Sequence, residues 1–303
     1  MTYGLDNYIF TNPLSSIHSI ILLFGVYRIG LEAQKLIINN FFLRNTDNNI
    51  YYYSFLVGTY IVSYFLYIFV ILQIMNTLAF KILAISIYLL GLFSIINFLS
   101  TLKLFMNKLA LKNFNNYHYV IIICLLGLMF ISLSPITHAD SLDYHVASSL
   151  NILNSGSFHK ELLPMTSKLA SIGETMLALG FALKLEQFGA LLQFSALFSL
   201  IPVFLKKNYS INYLVLLTIL VIPITIFFVS SPKPQLIECV ASLLIFIFLV
   251  KGFSTYSKFQ IKIIVSIIFF VLAINVLMKY SFIVSSSILY IFCVYSIFRK
   301  KLL

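Results

Sequence analysis

Asp140 and Asp143 stand three residues apart in the stretch Pro135-Ile136-Thr137-His138-Ala139-Asp140-Ser141-Leu142-Asp143-Tyr144-His145. Side chains at i and i+3 of a helix share a face, so two carboxylates would point the same way, with Tyr144 beside Asp140 at i+4. Thr137 has the chemistry of an N-cap and would start such a helix. A carboxylate pair at a membrane surface can hold a divalent cation or act as a general base. His138, Asp140 and Asp143 are the ligands a metal would take, although this spacing is specific to no one metal. A plainer reading fits the same residues: Asp near a helix start and His at an interface.

Other ionisable residues lie downstream. Glu174 sits in an apolar stretch at 169–183, where an unpaired carboxylate would be costly, so it is expected to face the site or pair with Lys168. Lys233 is held between Pro232 and Pro234, which aims its ammonium, and Glu238 follows within about one turn. Lys279 falls between two apolar runs. Ammonium groups so placed suit a phosphate or diphosphate, while an interfacial lysine that merely snorkels is the simpler alternative. Arg28 and Glu32, at i and i+4, are expected to neutralise each other.

The elements that must position these residues are dictated by composition. The chain of 303 residues is 61% hydrophobic and only 10% charged, against about 25% charged for a soluble domain. Its mean hydropathy is +1.01. A soluble enzyme and a disordered chain are excluded. The net charge of +11 invites a nucleic-acid reading, but the basic residues fall in short clusters between apolar runs, as in membrane-protein loops. No nucleic-acid partner is expected, and membrane lipids are. Cys124, Cys239 and Cys293 lie in apolar runs and read as small hydrophobes. The first dozen residues carry no Lys or Arg, which speaks against a cleavable signal peptide.

A spanning helix needs about 20 apolar residues. Such runs lie near 15–36, 52–75, 82–102, 118–136, 186–205, 211–229, 235–251, 262–279 and 281–298. If 169–183 does not cross, thirteen of the twenty basic residues fall on the cytoplasmic side, in five clusters. If it does cross, the later clusters move outside while the earlier ones stay inside. The expectation is therefore an all-α polytopic transmembrane bundle of about nine spans, in the plasma (inner) membrane of its cell. Its long loop, 137–185, is external and contains interfacial helices at 146–153 and 169–183. Asp140, Asp143, Glu174, Lys233 and Lys279 would share the non-cytoplasmic side.

The segment from about 118 to 290 resembles the membrane-embedded GT-C glycosyltransferase superfamily, which includes protein mannosyltransferases and bacterial relatives. The likeness rests on Ala139-Asp140-Ser141-Leu142-Asp143-Tyr144-His145, Leu153-Asn154-Ser155-Gly156, the Gly173-Glu174 segment, Lys233 and Lys279. It divides the chain into an N-terminal three-helix membrane region, 1–117, and a GT-C-like core, 118–303. It implies a polyprenyl-phosphate-linked sugar as donor and a lipid, glycan or protein hydroxyl as acceptor. Asp140 would be the catalytic carboxylate, with Asp143 the alternative. Tyr144, His145, Lys168, Glu174, Lys233 and Lys279 would bind substrate. A transporter or flippase for a lipid-linked saccharide, or an inactive or truncated homologue, would share this layout.

Overall fold

The computed structural model describes residues 13–41, 50–108, 116–138, 141–158, 172–205, 210–253 and 256–302. The described residues are all-helical, without a strand. Chains this apolar satisfy their backbone polar groups within each helix, because lipid offers no partner. Each of the nine apolar runs becomes helical, as α1 (Pro13–Phe41), α2 (Ile50–Ile71), α3 (Thr77–Lys108), α4 (Asn116–Ser132), α7 (Phe188–Ala196), α9 (Ser210–Val221), α11 (Gln235–Lys251), α12 (Lys258–Met278) and α13 (Ile283–Leu302). A 3₁₀ turn, Leu197–Leu200, carries α7 into α8 (Ile201–Leu205). α10 (Pro223–Val229) follows α9 after a single residue.

Five of these helices are long and apolar enough to cross a membrane: α1, α2, α3, α12 and α13. The α9–α10 pair makes a sixth if it counts as one bent span. Their outward faces are apolar, with Phe93 on α3, Phe269 on α12 and Ile291 on α13 all more than half exposed. Such a surface is stable only against lipid, and the protein is a multi-pass membrane protein. Half of the most apolar window of α1 and of α2 is buried, against 17% for α13, so α1 and α2 are inner helices and α13 an outer one.

The inner helices approach closely through small residues. A Cβ on Gly30 of α1 would stand 1.9 Å from the carbonyl oxygen of Ser54 on α2. Between apolar helices in lipid, where no hydrophobic force acts, close backbone packing supplies much of the attraction. One continuous apolar core runs from Leu22 on α1 to Met278 on α12, so the first three helices pack into the same core as the rest. A smaller cluster joins α11, α12 and α13 around Leu249, Leu272 and Leu289.

The span expected at 211–229 is broken. Ile222 is extended (φ −61°, ψ 134°), Pro223 opens α10, and the two helices meet at 55°. A proline has no N–H to donate and pushes the residue before it out of the helical region, which is the cause of the break.

Two helices come from the segment expected to be the external loop. A π-helical turn, Ser141–Val146, runs into α5 (Ala147–Ser155), which Gly156 ends in the left-handed conformation at φ 69°. α5 buries one face, through Ser148, Ser149, Ile152 and Leu153. α6 (Ile172–Phe181) differs from the helix expected at the membrane surface. All ten of its residues are buried, enclosed by α2, α3, α5, α7 and α12. Gly173, Ala178 and Gly180 let its neighbours close in, and its one carboxylate has a buried partner.

Candidate functional site

The ionisable residues of the second half converge where the π-helical turn, α6, the end of α10 and the start of α11 meet the end of α12. His145 and Glu174 make the closest contact, with Nδ1 2.7 Å from Oε1 and both side chains almost fully buried. The carboxylate accepts the Nδ1–H and fixes the ring. Tyr144 lies against His145, with ring centroids 4.3 Å apart. Among the described residues, the Ser141 and Leu142 N–H groups bond the carbonyl of His138 at 3.0 Å, and Thr137 lies outside the helical residues. The wider π turn also changes the register that an α-helical spacing predicts for Asp143, Tyr144 and His145.

A second group forms around Phe227. The Lys233 ammonium lies 5.1 Å from the centre of its ring, and His138 meets the same ring edge-on at 4.8 Å. His138 Nε2 is 2.9 Å from Ser230 Oγ. That hydroxyl donates to the carbonyl of Phe227, so it accepts from His138 Nε2–H, which leaves Nδ1 as the lone-pair nitrogen. This contact binds the start of the 137–185 segment to the turn after α10. Residues 138 and 230 therefore lie at the same end of the bundle.

The Ser231-Pro232-Lys233-Pro234 turn is buried throughout, which is unusual for a loop carrying a lysine. Two glycines make room for it. A Cβ on Gly189 of α7 would stand 2.7 Å from Cβ of Pro232, and one on Gly173 of α6 would stand 2.7 Å from Cγ of Pro234. Gln193 of α7 then caps α11, its Oε1 accepting from the N–H groups of Leu236 (3.2 Å) and Ile237 (3.3 Å). These first-turn amides have no partner within their own helix.

Glu238, one turn into α11, is fully buried. The Lys279 ammonium and the Glu174 carboxylate are the charged groups that act on it. Lys279 is half-buried, with extended backbone just past α12, and its N–H closes that helix on Asn275 O at 3.0 Å. Asn275 is fully buried, with its Oδ1 bonded by the Tyr60 hydroxyl and its Nδ2 donating to Ser242 Oγ at 3.2 Å. Glu186, in the turn before α7, accepts the Ile136 N–H at 3.0 Å and ties the segment after α4 to the bundle. Burial raises the Glu186 carboxyl above the usual carboxylate range, and the Ile136 N–H partly offsets this.

Of the residues singled out by sequence, Tyr144, His145, Glu174, Lys233 and Lys279 belong to this region, with His138 at its edge. Asp140 and Lys168 lie outside the described residues, as does the side chain of Asp143. Glu174 takes His145 as its partner, where Lys168 was the candidate. Among the described residues no three His, Cys, Asp or Glu side chains are grouped to hold a metal ion. Of the three ligands expected for a divalent cation only His138 is described, and Nδ1 is the atom it would offer. Arg28 and Glu32 pair at 2.9 Å, with Lys35 adding a second contact to Glu32 at 3.1 Å. The sequence leaves Glu238 to form an internal pair or to tune Lys233; the structure adds the charges of Glu174 and Lys279, the former brought there by α6 entering the bundle.

The model of the DUF1420 N-terminal domain matches residues 98–303, and the chain belongs to that family. The match runs from within α3 through α13 and takes in the site residues from His138 to Lys279 but not Tyr60. No curated protein and no solved structure matches the chain.

Proposed function

We propose that this member of the DUF1420 N-terminal domain family is a membrane-embedded glycosyltransferase. It moves a sugar from a polyprenyl-phosphate donor to a hydroxyl of a lipid, glycan or protein on the non-cytoplasmic face of the plasma (inner) membrane. In this reading the chain crosses about nine times, and the 137–185 segment folds into the bundle from outside. The observation that carries it is the convergence of three segments far apart in sequence. His138 on Ser230, His145 on Glu174, and Glu238 under the charges of Glu174 and Lys279 collect acid, base and ammonium groups among apolar helices.

The chemistry follows from those groups. The Asp140 carboxylate, or Asp143 in its place, takes the proton of the acceptor hydroxyl as that oxygen attacks the anomeric carbon. The bond from the anomeric carbon to the donor phosphate breaks, and the lipid phosphate leaves with the electron pair. Lys233 and Lys279, with Lys168, stabilise the charge that develops there. Tyr144, His145 and Glu174 position the reacting groups, and the polyprenyl tail lies between helices. A divalent cation on Asp140, Asp143 and His138 would serve the same end by polarising the phosphate.

The test is transfer of labelled sugar from a panel of polyprenyl-phosphate sugars by the purified chain in lipid nanodiscs. Asp140→Asn is expected to lower the rate by about 100-fold or more, the scale of a lost general base. Full activity in both Asp140→Asn and Asp143→Asn contradicts the mechanism.

One observation favours a second reading, a transporter or flippase for a lipid-linked saccharide. The helix that carries Phe227 to the site is broken from α9 at Pro223, and discontinuous helices mark transporter sites. Flip of a fluorescent lipid-linked sugar in proteoliposomes, without transfer, would decide for it. Neither flip nor transfer with any donor points to an inactive or truncated homologue.

A further inference from the structure

Asn275 is a fully buried amide in the last turn of an apolar helix, where a polar side chain is costly unless its bonds are made. Both of its groups are bonded, and to two different helices. Its Oδ1 accepts from the hydroxyl of Tyr60 on α2, and its Nδ2 donates to Ser242 Oγ on α11. Tyr60 is buried as well. These bonds bolt α2, α11 and α12 together at one level of the bundle. A single buried Asn fixes the register of packed helices, because a shifted register strands its polar atoms.

The level of the bolt matters for the site. Ser242 follows Glu238 by four residues on α11, and residues four apart share a helix face. Asn275 precedes Lys279 by four residues, and the Lys279 N–H bonds the Asn275 carbonyl, so the backbone of Lys279 is fixed to Asn275 directly. The Ser242–Asn275 bond therefore lies one turn from the two charged groups. The Lys279 ammonium acts on Glu238, and Glu238 in turn acts on Tyr60. A slip of α12 by one residue would shift Lys279 by about 1.5 Å and turn it by about 100°. We infer that Tyr60, Asn275 and Ser242 form a register lock, a set of positioning residues that holds Lys279 against Glu238 and Glu174. α2 is thereby a working part of the site, although it lies outside the matched residues 98–303. What the held ammonium does, which is to bind the phosphate of a polyprenyl donor, rests on the glycosyltransferase reading.

The experiment uses the full chain in nanodiscs, with Tyr60→Phe and Asn275→Leu combined. Replacing both partners by apolar groups of similar shape removes the lock and strands neither of them, so the unfolding temperature is expected to stay close to that of the wild type. The Ser242 hydroxyl can turn to a carbonyl of its own helix. Two readouts follow. Bare polyprenyl phosphate probes the ammonium, with affinity read from ligand-induced shifts in thermal unfolding. Labelling of Lys279 by an amine-reactive reagent, read by mass spectrometry against the exposed Lys258 at the other end of α12, reports its position without any substrate. The double variant is expected to bind polyprenyl phosphate about tenfold more weakly, the scale of one lost charge-assisted hydrogen bond. Lys279 is expected to label severalfold faster, as it leaves the carboxylate, with Lys258 unchanged. Undiminished affinity, or unchanged labelling of Lys279, in the folded double variant overturns the inference, and the three residues then only hold the fold. If the wild type binds no polyprenyl phosphate, the transferase reading falls, and the labelling alone decides the lock. Should the double variant not fold, Tyr60→Phe removes a single hydroxyl and is read in the same way.

Discussion

His145 and Glu174 hold each other in a space with almost no water, and that makes the pair sensitive to the loss of either side chain. Breaking a buried pair costs about 3–5 kcal/mol, because the survivor is left without a partner. Glu174→Ala is therefore expected to lower the unfolding temperature clearly in detergent. A double replacement by Leu should recover part of the loss, since an apolar pair of similar volume strands no polar group. An additive double mutant would mean that the two residues are not coupled. Gln193 offers a second test. Gln193→Leu leaves the Leu236 and Ile237 N–H groups without their acceptor, at a cost of about 1–3 kcal/mol. Thermal unfolding should show that loss, and hydrogen exchange should rise first at the start of α11. At this scale the chemistry-bearing residue types were legible in the sequence, but their partners were not. Spacing relates residues within about two turns, whereas 29 residues separate His145 from Glu174 and 92 separate His138 from Ser230.

The elements were legible to the extent that they are long and apolar. The run at 235–251 matches α11 residue for residue. The break in 211–229 escaped notice because a hydropathy window averages over a single Pro223, although the proline itself was in view. Pro223→Ala restores an N–H and frees Ile222 to become helical, so α9 and α10 are expected to straighten. Spin labels at the exposed positions Ile211 and Ile226 would then move apart, and an unchanged distance would show that packing, not proline, sets the 55° bend. α6 was misplaced for a different reason. A short apolar stretch with one carboxylate fits a surface helix and an interior one equally, and only the glycines facing Pro232 and Pro234 separate the two. Gly173→Val and Gly189→Val would force the Pro-Lys-Pro turn away from α6 and α7. Overpacking of this kind costs about 1–3 kcal/mol, to be read as a fall in the unfolding temperature.

The whole molecule has an asymmetry that its helices make physical. α11 rises about 24 Å from Gln235 to Lys251 at 1.5 Å per residue. Its first turn holds Glu238, beside Lys279 and Glu174. Its far end opens the basic cluster Lys251, Lys258 and Lys262. The charge bias in the sequence predicts an orientation, and residues 138 and 230 share one end, as a non-crossing 169–183 requires. The side of the membrane on which that end lies decides whether the site can meet donors and acceptors outside the cytoplasm. Single cysteines at the exposed positions Thr137, Ser281 and Lys258, in a background without Cys124, Cys239 and Cys293, settle it by labelling intact cells with an impermeant maleimide. The account predicts labelling at 137 and 281 and none at 258 until the cells are permeabilised. Labelling at 258 alone would put the site in the cytoplasm and contradict the account.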